Sequence, residues 1–404
     1  MNTRDETRSA TISDVARQAG VSKGTVSHVL NGRVPVSASM RARVENAIAA
    51  LDYSPAETAR SLTSRKRTPG EESRIDASVP RLTTVGYVSV DYIACLDRLP
   101  EREERFMSDE IVKAVGGPAA NVAAIAAGIG GPWPIAVSLI TAIGTDQDSD
   151  WAAAELASRR VDLIMPRERR EGRLNRALVL VEADGRRTIV NEPSNLAEVD
   201  VRRFVETTDT TDRTWCLHIE GYQAPRQIGA VPLARARGFR TSIQATGLPR
   251  DWLSARGEEL FASFDAVVLH RESLALLQGV PADPEAAMRH FSLRARTSSV
   301  WPQVVIVTLG PRGAMLVGRD GRIARADALD VPVQDTTGAG DAFVGTFLTL
   351  WLNGVEPDQA MRYACAAGSL AVTRFGAQDL RPSAARLEDA LAARATLRAP
   401  ALAP

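Results

Sequence analysis

Apolar residues recur at helical spacing between residues 11 and 51 of the chain and predict three short helices. Thr11 can cap the first helix, Gly20 can end it with a left-handed residue, and Ser22 can cap the second helix. The apolar positions are Val15, Ala16, Ala19, Val26, Val29 and Leu30 in the first two helices, and Val44, Ala47, Ile48 and Leu51 in the third. Three short helices around one small core predict a small all-α helix-turn-helix unit, whose second helix enters the major groove of DNA.

Beyond residue 81 the apolar pattern alternates between strand and helix periods. Segment 82–94, LTTVGYVSVDYIA, predicts one strand with Asp91 near its end. Further strands are predicted at RALVLVE (176–182), TWCLHIEG (214–221), FDAVVLH (264–270) and VVIVTLG (304–310). Helical segments lie between these strands, so the body is predicted to be an α/β domain with a mainly parallel sheet flanked by helices.

One uncharged run, residues 122–144, is long enough to span a bilayer. Gly130, Gly131, Pro132 and Pro134 interrupt the run, so we predict a helix, a turn and a buried strand and expect no membrane partner. Residues 1–10 are polar and charged and do not resemble a signal peptide. The three cysteines are far apart and odd in number, which fits a reducing compartment; we expect a cytoplasmic protein.

Charge is unevenly distributed along the 404 residues, although Lys plus Arg and Asp plus Glu both number 49. Residues 1–67 contain eleven basic and six acidic residues, a net charge of +5, and the remainder carries −5. The length suits one small and one large domain. A basic head on an acidic body indicates a nucleic-acid partner for the head only.

Two segments of the head, DVARQAGVSKGTVSHVLNG (14–32) and VSASMRARVENAIAALDYSPAETARSL (36–62), resemble the DNA-binding head of the lac-repressor family. The resemblance implies a domain of residues 1–67 that ends in a hinge helix, followed by a polar linker at 68–81. It also implies base contacts from Lys23, Gly24 and His28, although Gly24 has no side chain and arginine is frequent where His28 stands. The remaining implied DNA contacts are Ser22, Thr25, Ser27 and Asn31 in the head, and Ala59 and Leu62 in the hinge. Leu62 would wedge into the minor groove. Heads of this family read paired half-sites, so we expect a homodimer on inverted-repeat operator DNA.

Four clusters in the body have the chemistry of a ligand site. Asp91 could accept hydrogen bonds from vicinal sugar hydroxyls or cap a turn. Segment GGPAANVA contains Gly116, Gly117 and Asn121, where glycines allow close approach of a ligand and an amide can donate and accept. Segment TLGPRGAML (308–316), with Thr308, Gly310 and Gly313, could pass beneath the phosphates of a nucleotide or form a simple hairpin.

The fourth cluster is QDTTGAGDAFVG, residues 334–345. Gly338, Ala339 and Gly340 would place successive N–H groups at the start of a helix, which makes an anion site. Asp341 lies beside that site, within reach of a hydroxyl brought up to the anion. A carboxylate base next to an anion site is what phosphoryl transfer to an alcohol requires.

In this order, the four clusters resemble the ribokinase-like carbohydrate kinases, over roughly residues 82–382 of a body that we place at 82–396. The resemblance implies an α/β fold with a small β lid, a sugar substrate, and ATP with Mg²⁺ and a possible monovalent cation. It also implies that Asp341 is the catalytic base, that Asp335 lies near the phosphates, and that segment 366–378 lies near the nucleotide. Members of this family often dimerise through their lid strands.

The chain departs from the family pattern at three places. His270 and Ser273 occupy the positions of an N-x-x-E motif that helps to organise Mg²⁺ and phosphate, and Glu272 could substitute only if the turn shifts. Gln244 stands where the family often has Asp or Asn, and Leu174–Asn175 replaces a Thr-Gly pair of the lid. The metal ligands are therefore unknown, and two hypotheses stay open: a regulator that is also a sugar kinase, and a regulator whose body senses sugar or nucleotide without catalysis. A third, weaker hypothesis is a metabolic kinase that the head only localises.

Overall fold

The computed structural model describes residues 12–21, 25, 26, 38–50 and 79–398, with gaps at 109, 166–170, 184, 194, 195, 197, 198, 212, 374, 375 and 377–381. The chain divides into two compact units, Met1–Ser73 and Arg74–Pro404. We call the first unit the head and the second the body.

Two helices are described at full length in the head, α1 (Ile12–Ala19) and α2 (Ala38–Ala50). Gly20 has φ +61°, so the predicted left-handed end of α1 is confirmed. The Arg43 guanidinium of α2 donates to the backbone carbonyls of Ala19 (2.6 Å) and Gly20 (2.9 Å), which ties the two helices together. The buried core of the described head is Val15, Ala16, Ala19, Val26, Val44 and Ala47.

Of the predicted DNA-contacting residues, Thr25 is described and lies in a helical segment with the buried Val26. The others lie outside the described residues: Ser22, Lys23, Gly24, Ser27, His28, Asn31, Ala59 and Leu62. The predicted caps Thr11 and Ser22 and most of the predicted linker also lie outside them.

Nine strands form the main sheet in the described body, in the order β13-β12-β11-β10-β9-β8-β1-β4-β5. Their bounds are β1 Arg81–Val85, β4 Ala136–Ile140, β5 Val161–Ile164, β8 Trp215–Glu220, β9 Arg240–Gln244, β10 Ala266–His270, β11 Val304–Thr308, β12 Ala314–Gly318 and β13 Ile323–Ala326. In this sheet the neighbouring strands from β11 through β10, β9, β8, β1 and β4 to β5 pair in parallel. Strand β12 pairs antiparallel with β11 and with β13. The mainly parallel sheet is therefore confirmed.

Four more strands form a second, smaller sheet in the order β3-β2-β6-β7 within the described residues. Their bounds are β2 Ser89–Leu96, β3 Ile111–Gly116, β6 Asn175–Glu182 and β7 Arg187–Asn191. We call this sheet the lid. The prediction of one strand over residues 82–94 was wrong, because that segment supplies β1 to the main sheet and β2 to the lid. Asp91 is accordingly the third residue of β2 and does not end a strand.

Helices cover both faces of the main sheet. In the described body they are α3 Pro118–Ile129, α4 Gln147–Ser158, α5 Arg202–Thr207, α6 Ala224–Gln227, α7 Val231–Ala236, α8 Arg250–Arg256, α9 Glu258–Ser263, α10 Arg271–Leu274, α11 Pro284–Thr297, α12 Ala339–Leu352, α13 Pro357–Ala371 and α14 Ala384–Arg398. One apolar cluster includes α3, α12 and α13, and another includes α7, α9 and α11. Strands buried on both faces by such clusters are typical of parallel sheets.

The uncharged run at 122–144 forms part of α3, a turn and β4, as predicted. Among the described residues, no helix is both long and apolar enough to cross a membrane. The three cysteines are all described, and each is free.

Candidate active site

The anion loop, which we define as residues 335–340, leads into α12. Gly338 is the residue before the helix and has φ +75°, a conformation in which side chains are strained. Helix α12 begins at Ala339, so Asp341 lies within its first turn. Unpaired N–H groups at a helix start attract anions, and here they adjoin the Asp341 carboxylate.

Asp341 is buried and held by two amides. Asn121 Nδ2 on α3 donates to Asp341 Oδ2 at 2.8 Å, and Gln244 Nε2 at the end of β9 donates to Oδ1 at 3.1 Å. Burial raises the pKa of Asp341, whereas the two hydrogen bonds and the charge of Arg187 lower it. The structure thus brings together the predicted base and Asn121 from the predicted sugar cluster. Gln244, which stands where the family often has Asp or Asn, donates a hydrogen bond to this base.

Asp91 and Gly116 form one wall of the site. The two residues lie on adjacent lid strands, and a Cβ on Gly116 would lie 2.2 Å from Asp91 Oδ2. Gly117 has φ +101°, and a Cβ there would lie 2.3 Å from the carbonyl oxygen of Tyr87. A side chain at either position would collide with these neighbouring atoms, so both positions require glycine. Burial raises the pKa of Asp91, and a 2.8 Å hydrogen bond from Ser89 opposes this shift.

Glu220, at the end of β8, is a site residue that the sequence reasoning missed. Its Oε1 accepts from the backbone N–H of Tyr87 (3.1 Å), and its Oε2 accepts from that of Ala119 (3.0 Å). Burial raises its pKa to about 8, and the negative charge of Asp341 contributes in the same direction. Glu220 connects the β1–β2 link to the start of α3. The sequence feature that could have indicated Glu220 is its place as a polar residue at the carboxyl end of a predicted parallel strand, where ligands bind in such sheets.

Tyr87 lies among the acidic groups of the site. Burial raises its pKa, and the charges of Glu220, Asp91 and Asp341 raise it further. Its ring meets the ring of Tyr222 edge to face at 5.6 Å. Both tyrosines line a cleft of about 410 Å³, whose wall also includes Asn175, Asn191, Glu192, Gln223 and Arg226.

Asp335 is fully buried and organises the anion loop. Its Oδ1 accepts from the backbone N–H (2.8 Å) and hydroxyl (2.6 Å) of Thr337, and its Oδ2 accepts from Gly376 N (3.0 Å). Gly376 belongs to segment 366–378, so the structure joins two of the motifs that were expected to lie near the nucleotide.

The predicted turn after Thr308 is a hairpin in the described body. Residues Gly310–Arg312 form a short 3-10 helix between the antiparallel strands β11 and β12, with φ +61° at Gly310 and +83° at Gly313. A Cβ on Gly313 would lie 2.0 Å from the carbonyl oxygen of Ala326. This contact explains Gly313 structurally. A Cβ on Gly310 would meet no atom within 4 Å, so close packing does not account for glycine at this position.

His270 ends β10, directly beside Thr308 on β11. Its Nδ1 lies 3.8 Å from Glu272 Oε2 on the short helix α10, which also carries Ser273. Within the described part of the chain, no three His, Cys, Asp or Glu side chains come together as a metal site. His270 and Ser273 supply no carboxylate to a metal ion here, and Glu272 is the acidic side chain beside them.

The comparisons with known proteins agree with this geometry. The family model of the pfkB family carbohydrate kinases matches residues 79–384. The chain belongs to the pfkB family. A second family model, that of the bacterial regulatory proteins of the lacI family, matches residues 11–56 of the head. The fusion expected from the sequence is thus confirmed.

Relatives of this pfkB-family chain match along its body. An ATP-dependent ribose-1-phosphate kinase of Halopiger xanaduensis is 30% identical over 74% of this chain and 94% of its own length. A ribokinase of Haemophilus influenzae is 26% identical over 75% of this chain and 95% of its own. The Arabidopsis thaliana ribokinase complexed with ribose and ATP has a TM-score of 0.59 at 21% identity, covering 78% of this chain and 99% of that one. That likeness shows the ribokinase-like fold.

The Gln244 amide offers a test of the base through its pH dependence. Its hydrogen bond lowers the pKa of Asp341, so Gln244→Leu is expected to raise that pKa. Any phosphoryl transfer should then require a higher pH, and the acidic limb of the kcat/KM profile should shift upward. The profile is measured with wild type and variant side by side. An unchanged acidic limb would contradict the assignment of Asp341 as the base.

Proposed function

We propose that this chain is a DNA-binding transcription regulator whose body transfers the γ-phosphate of ATP to a sugar hydroxyl. The observation that carries the proposal is the buried Asp341 carboxylate, which adjoins the start of α12 and is fixed by Asn121 and Gln244. A base held beside a group of anion-binding N–H donors supplies positioning and electrostatic stabilisation, the two main contributions to phosphoryl transfer.

The sugar side of the site is formed by side chains of the lid and of α3. Asp91 would accept from vicinal hydroxyls, and Gly116 leaves room for the sugar beside that carboxylate. Asn121 and Gln244 hold Asp341 and border the same space. Among the described residues, Gln244 Oε1 has no hydrogen-bond partner, so it can accept from a substrate hydroxyl.

In the proposed phosphoryl transfer, one proton moves and one phosphorus–oxygen bond replaces another. Asp341 takes the proton of the attacking hydroxyl, whose oxygen bonds to the γ-phosphorus. The bond from that phosphorus to the bridging oxygen breaks, and its electron pair stays with ADP. N–H groups of the anion loop stabilise the charge on the phosphoryl oxygens. Thr308, Gly310 and Gly313 would border the nucleotide at the β11–β12 hairpin, with Asp335 shaping the loop.

We infer that the working unit is a homodimer that pairs its lids. Leu178 and Val190 lie directly opposite each other on β6 and β7, so both point to the same face of the lid. They are 54% and 59% exposed, and Ile111 on the same face is 65% exposed. Exposed apolar side chains grouped on one face of a sheet are typical of an interaction site. The head would contact an inverted-repeat operator through Lys23, Gly24 and His28, with Leu62 in the minor groove.

A non-catalytic sensor is the second candidate function, and the replacement of the N-x-x-E motif by His270 and Ser273 favours it. A thermal-shift screen with a panel of sugars and nucleotides identifies ligands of the body. A coupled assay of ADP formation with those ligands then separates the candidates. Sugar-dependent ADP release supports the kinase, whereas ligand binding without ADP release supports the sensor.

Sugar binding is expected to change operator affinity by about 5–150-fold, the usual range of coupling between two sites. A ligand shifts the DNA-binding equilibrium only if it binds the competent and incompetent states with different affinities. Fluorescence anisotropy with labelled operator, measured with and without saturating sugar, gives the ratio. Asp91→Ala should abolish the sugar effect and leave ligand-free operator binding intact. Unchanged operator affinity while the sugar demonstrably binds would favour a kinase that the head only localises.

A further inference from the structure

The cleft that Tyr87 and Tyr222 line has walls of its own, and we call it the tyrosine cleft. Asp91, Asn121 and Asp341 are not among its lining residues, so it is separate from the space around the reacting hydroxyl. At about 410 Å³ it falls within the range of roughly 300–1000 Å³ that small-molecule sites occupy. Its lining residues not named so far are Gly86, Val88, Thr141, Ala142, Leu196 and Val199.

Strand register places two amides of the tyrosine cleft on the same face of the lid as Asp91. Asn175 pairs with Ser89, which donates to Asp91 Oδ1 at 2.8 Å from two residues earlier on β2. Asn191 pairs with Ala177, which in turn pairs with Asp91. Directly paired residues share one face of a sheet, as do residues two apart in a strand. A sugar bound at Asp91 therefore has the tyrosine cleft beside it on the same lid face.

Tyr222 presents a fixed aromatic ring to this cleft. The residue is 50% exposed, yet its ring is packed on two sides. Tyr87 meets it edge to face at 5.6 Å, and a Cβ on Gly247 would lie 2.4 Å from its Cε2. The face of an aromatic ring is negative, so it attracts the partly positive C–H groups of a sugar ring. A ring that is already held in place loses little freedom when a ligand stacks on it.

Two polar atoms at the cleft have no hydrogen-bond partner in the part of the chain that the structure describes. Thr141 Oγ1 and Gln223 Oε1 are buried and unpaired, and both residues line the cleft. Buried polar atoms are normally paired, so a donor is missing at each of them. A sugar hydroxyl would supply that donor after a rotation of the side chain. The charged residues of the wall, Glu192 and Arg226, are of opposite sign, which suits an uncharged ligand.

We propose that the tyrosine cleft is a second sugar subsite, so that the body binds a disaccharide or another glycoside in preference to a free monosaccharide. The inference rests on the proposed function, since it names the class of acceptor for the same site. The reacting ring would lie at Asp91 with its hydroxyl at Asp341, and the second ring would stack on Tyr222. Hydroxyls of the second ring would pair with Thr141 and Gln223.

The test compares disaccharides with monosaccharides by isothermal titration of the full chain. The panel is maltose, cellobiose, sucrose and lactose against glucose, fructose, galactose and ribose. Ring stacking and one or two further hydrogen bonds are expected to make at least one disaccharide bind about 10- to 100-fold more tightly than its component monosaccharides. Tyr222→Leu, which removes the aromatic ring, should abolish this preference, and Tyr222→Phe should keep it. Leu293→Ala, which removes an exposed apolar side chain from α11, is the control and should behave as wild type.

The outcomes separate this inference from the proposed function. If the tightest ligand of the panel is a monosaccharide, or if Tyr222→Leu weakens both classes of sugar equally, the second subsite is wrong while the kinase proposal stands. If wild type binds no member of the panel, both the subsite and the sugar side of the proposed function are wrong. A disaccharide preference that depends on the ring of Tyr222 supports the subsite, even where the assay of ADP formation finds no transfer and contradicts the kinase.

Discussion

Asp341→Asn is expected to lower the rate of phosphoryl transfer to sugar by about 10²–10⁴-fold, the usual effect of removing a general base. The amide has nearly the shape of the carboxylate and can still accept a hydrogen bond at one position, but it cannot take the hydroxyl proton. Sugar binding through Asp91 should therefore survive. Steady-state kinetics give the rate, and titration with the sugar alone gives the affinity.

The control for Asp341→Asn is Asp330→Asn, which removes an exposed carboxylate from the segment before the anion loop. Its turnover should match that of the wild type. Equal residual turnover in wild type and Asp341→Asn would mean that the observed activity arises from another mechanism or from contamination. Loss of sugar binding in Asp341→Asn would mean that the carboxylate also positions the acceptor, and the separation of binding from proton transfer would then be wrong.

The double variant Leu178→Asp, Val190→Asp is expected to lower operator affinity by about 10²–10⁴-fold, because linking two binding modules raises avidity by this range. Charged groups at two facing positions of the lid would oppose pairing of the apolar faces. Each free monomer would then present a single head to one half-site. Analytical ultracentrifugation measures the loss of the dimer, and anisotropy with an inverted-repeat operator measures the loss of affinity.

Ile189→Asp is the matched control for the double variant. Ile189 precedes Val190 on β7, points to the opposite face of the lid and is 44% exposed, so the same charge there should leave the dimer and its operator affinity unchanged. A double variant that remains dimeric, or a monomer that keeps full operator affinity, would contradict pairing through the lid.

The sequence predicts individual elements of the body better than it predicts which sheet contains them. Strands β8, β10 and β11 and the start of α12 follow from apolar runs and from the glycines of the anion loop. The apolar alternation continues through residues 86–88, so the change from the main sheet at β1 to the lid at β2 leaves no break in the pattern. Asp91 was therefore placed at the wrong end of a strand.

Residues whose partners are remote in sequence are the ones that sequence reasoning missed. Glu220 acts on backbone groups 133 and 101 positions earlier in the chain, and Arg187 contacts Thr336, which lies 149 positions later. Neither belongs to a local motif, because each role arises when the fold brings separate segments together. Asp341 was found because its anion loop and helix start are contiguous with it.

The division of residues 81–96 between two sheets has a mechanical consequence. The chain that comes from the head is bonded as soon as it enters the body, where Pro80 O accepts from Ala136 N and Arg81 N donates to Thr214 O. Strand β1 is then clamped on both sides along its whole length, by β4 and β8. A strand that is hydrogen-bonded on both sides resists extension, and after β1 the chain continues through residues 86–88 into the lid. Strand β1 thus joins residues 80 and 81, where the chain enters the main sheet, to residues 86–88, which lead into the lid, through one strand that is hydrogen-bonded on both sides.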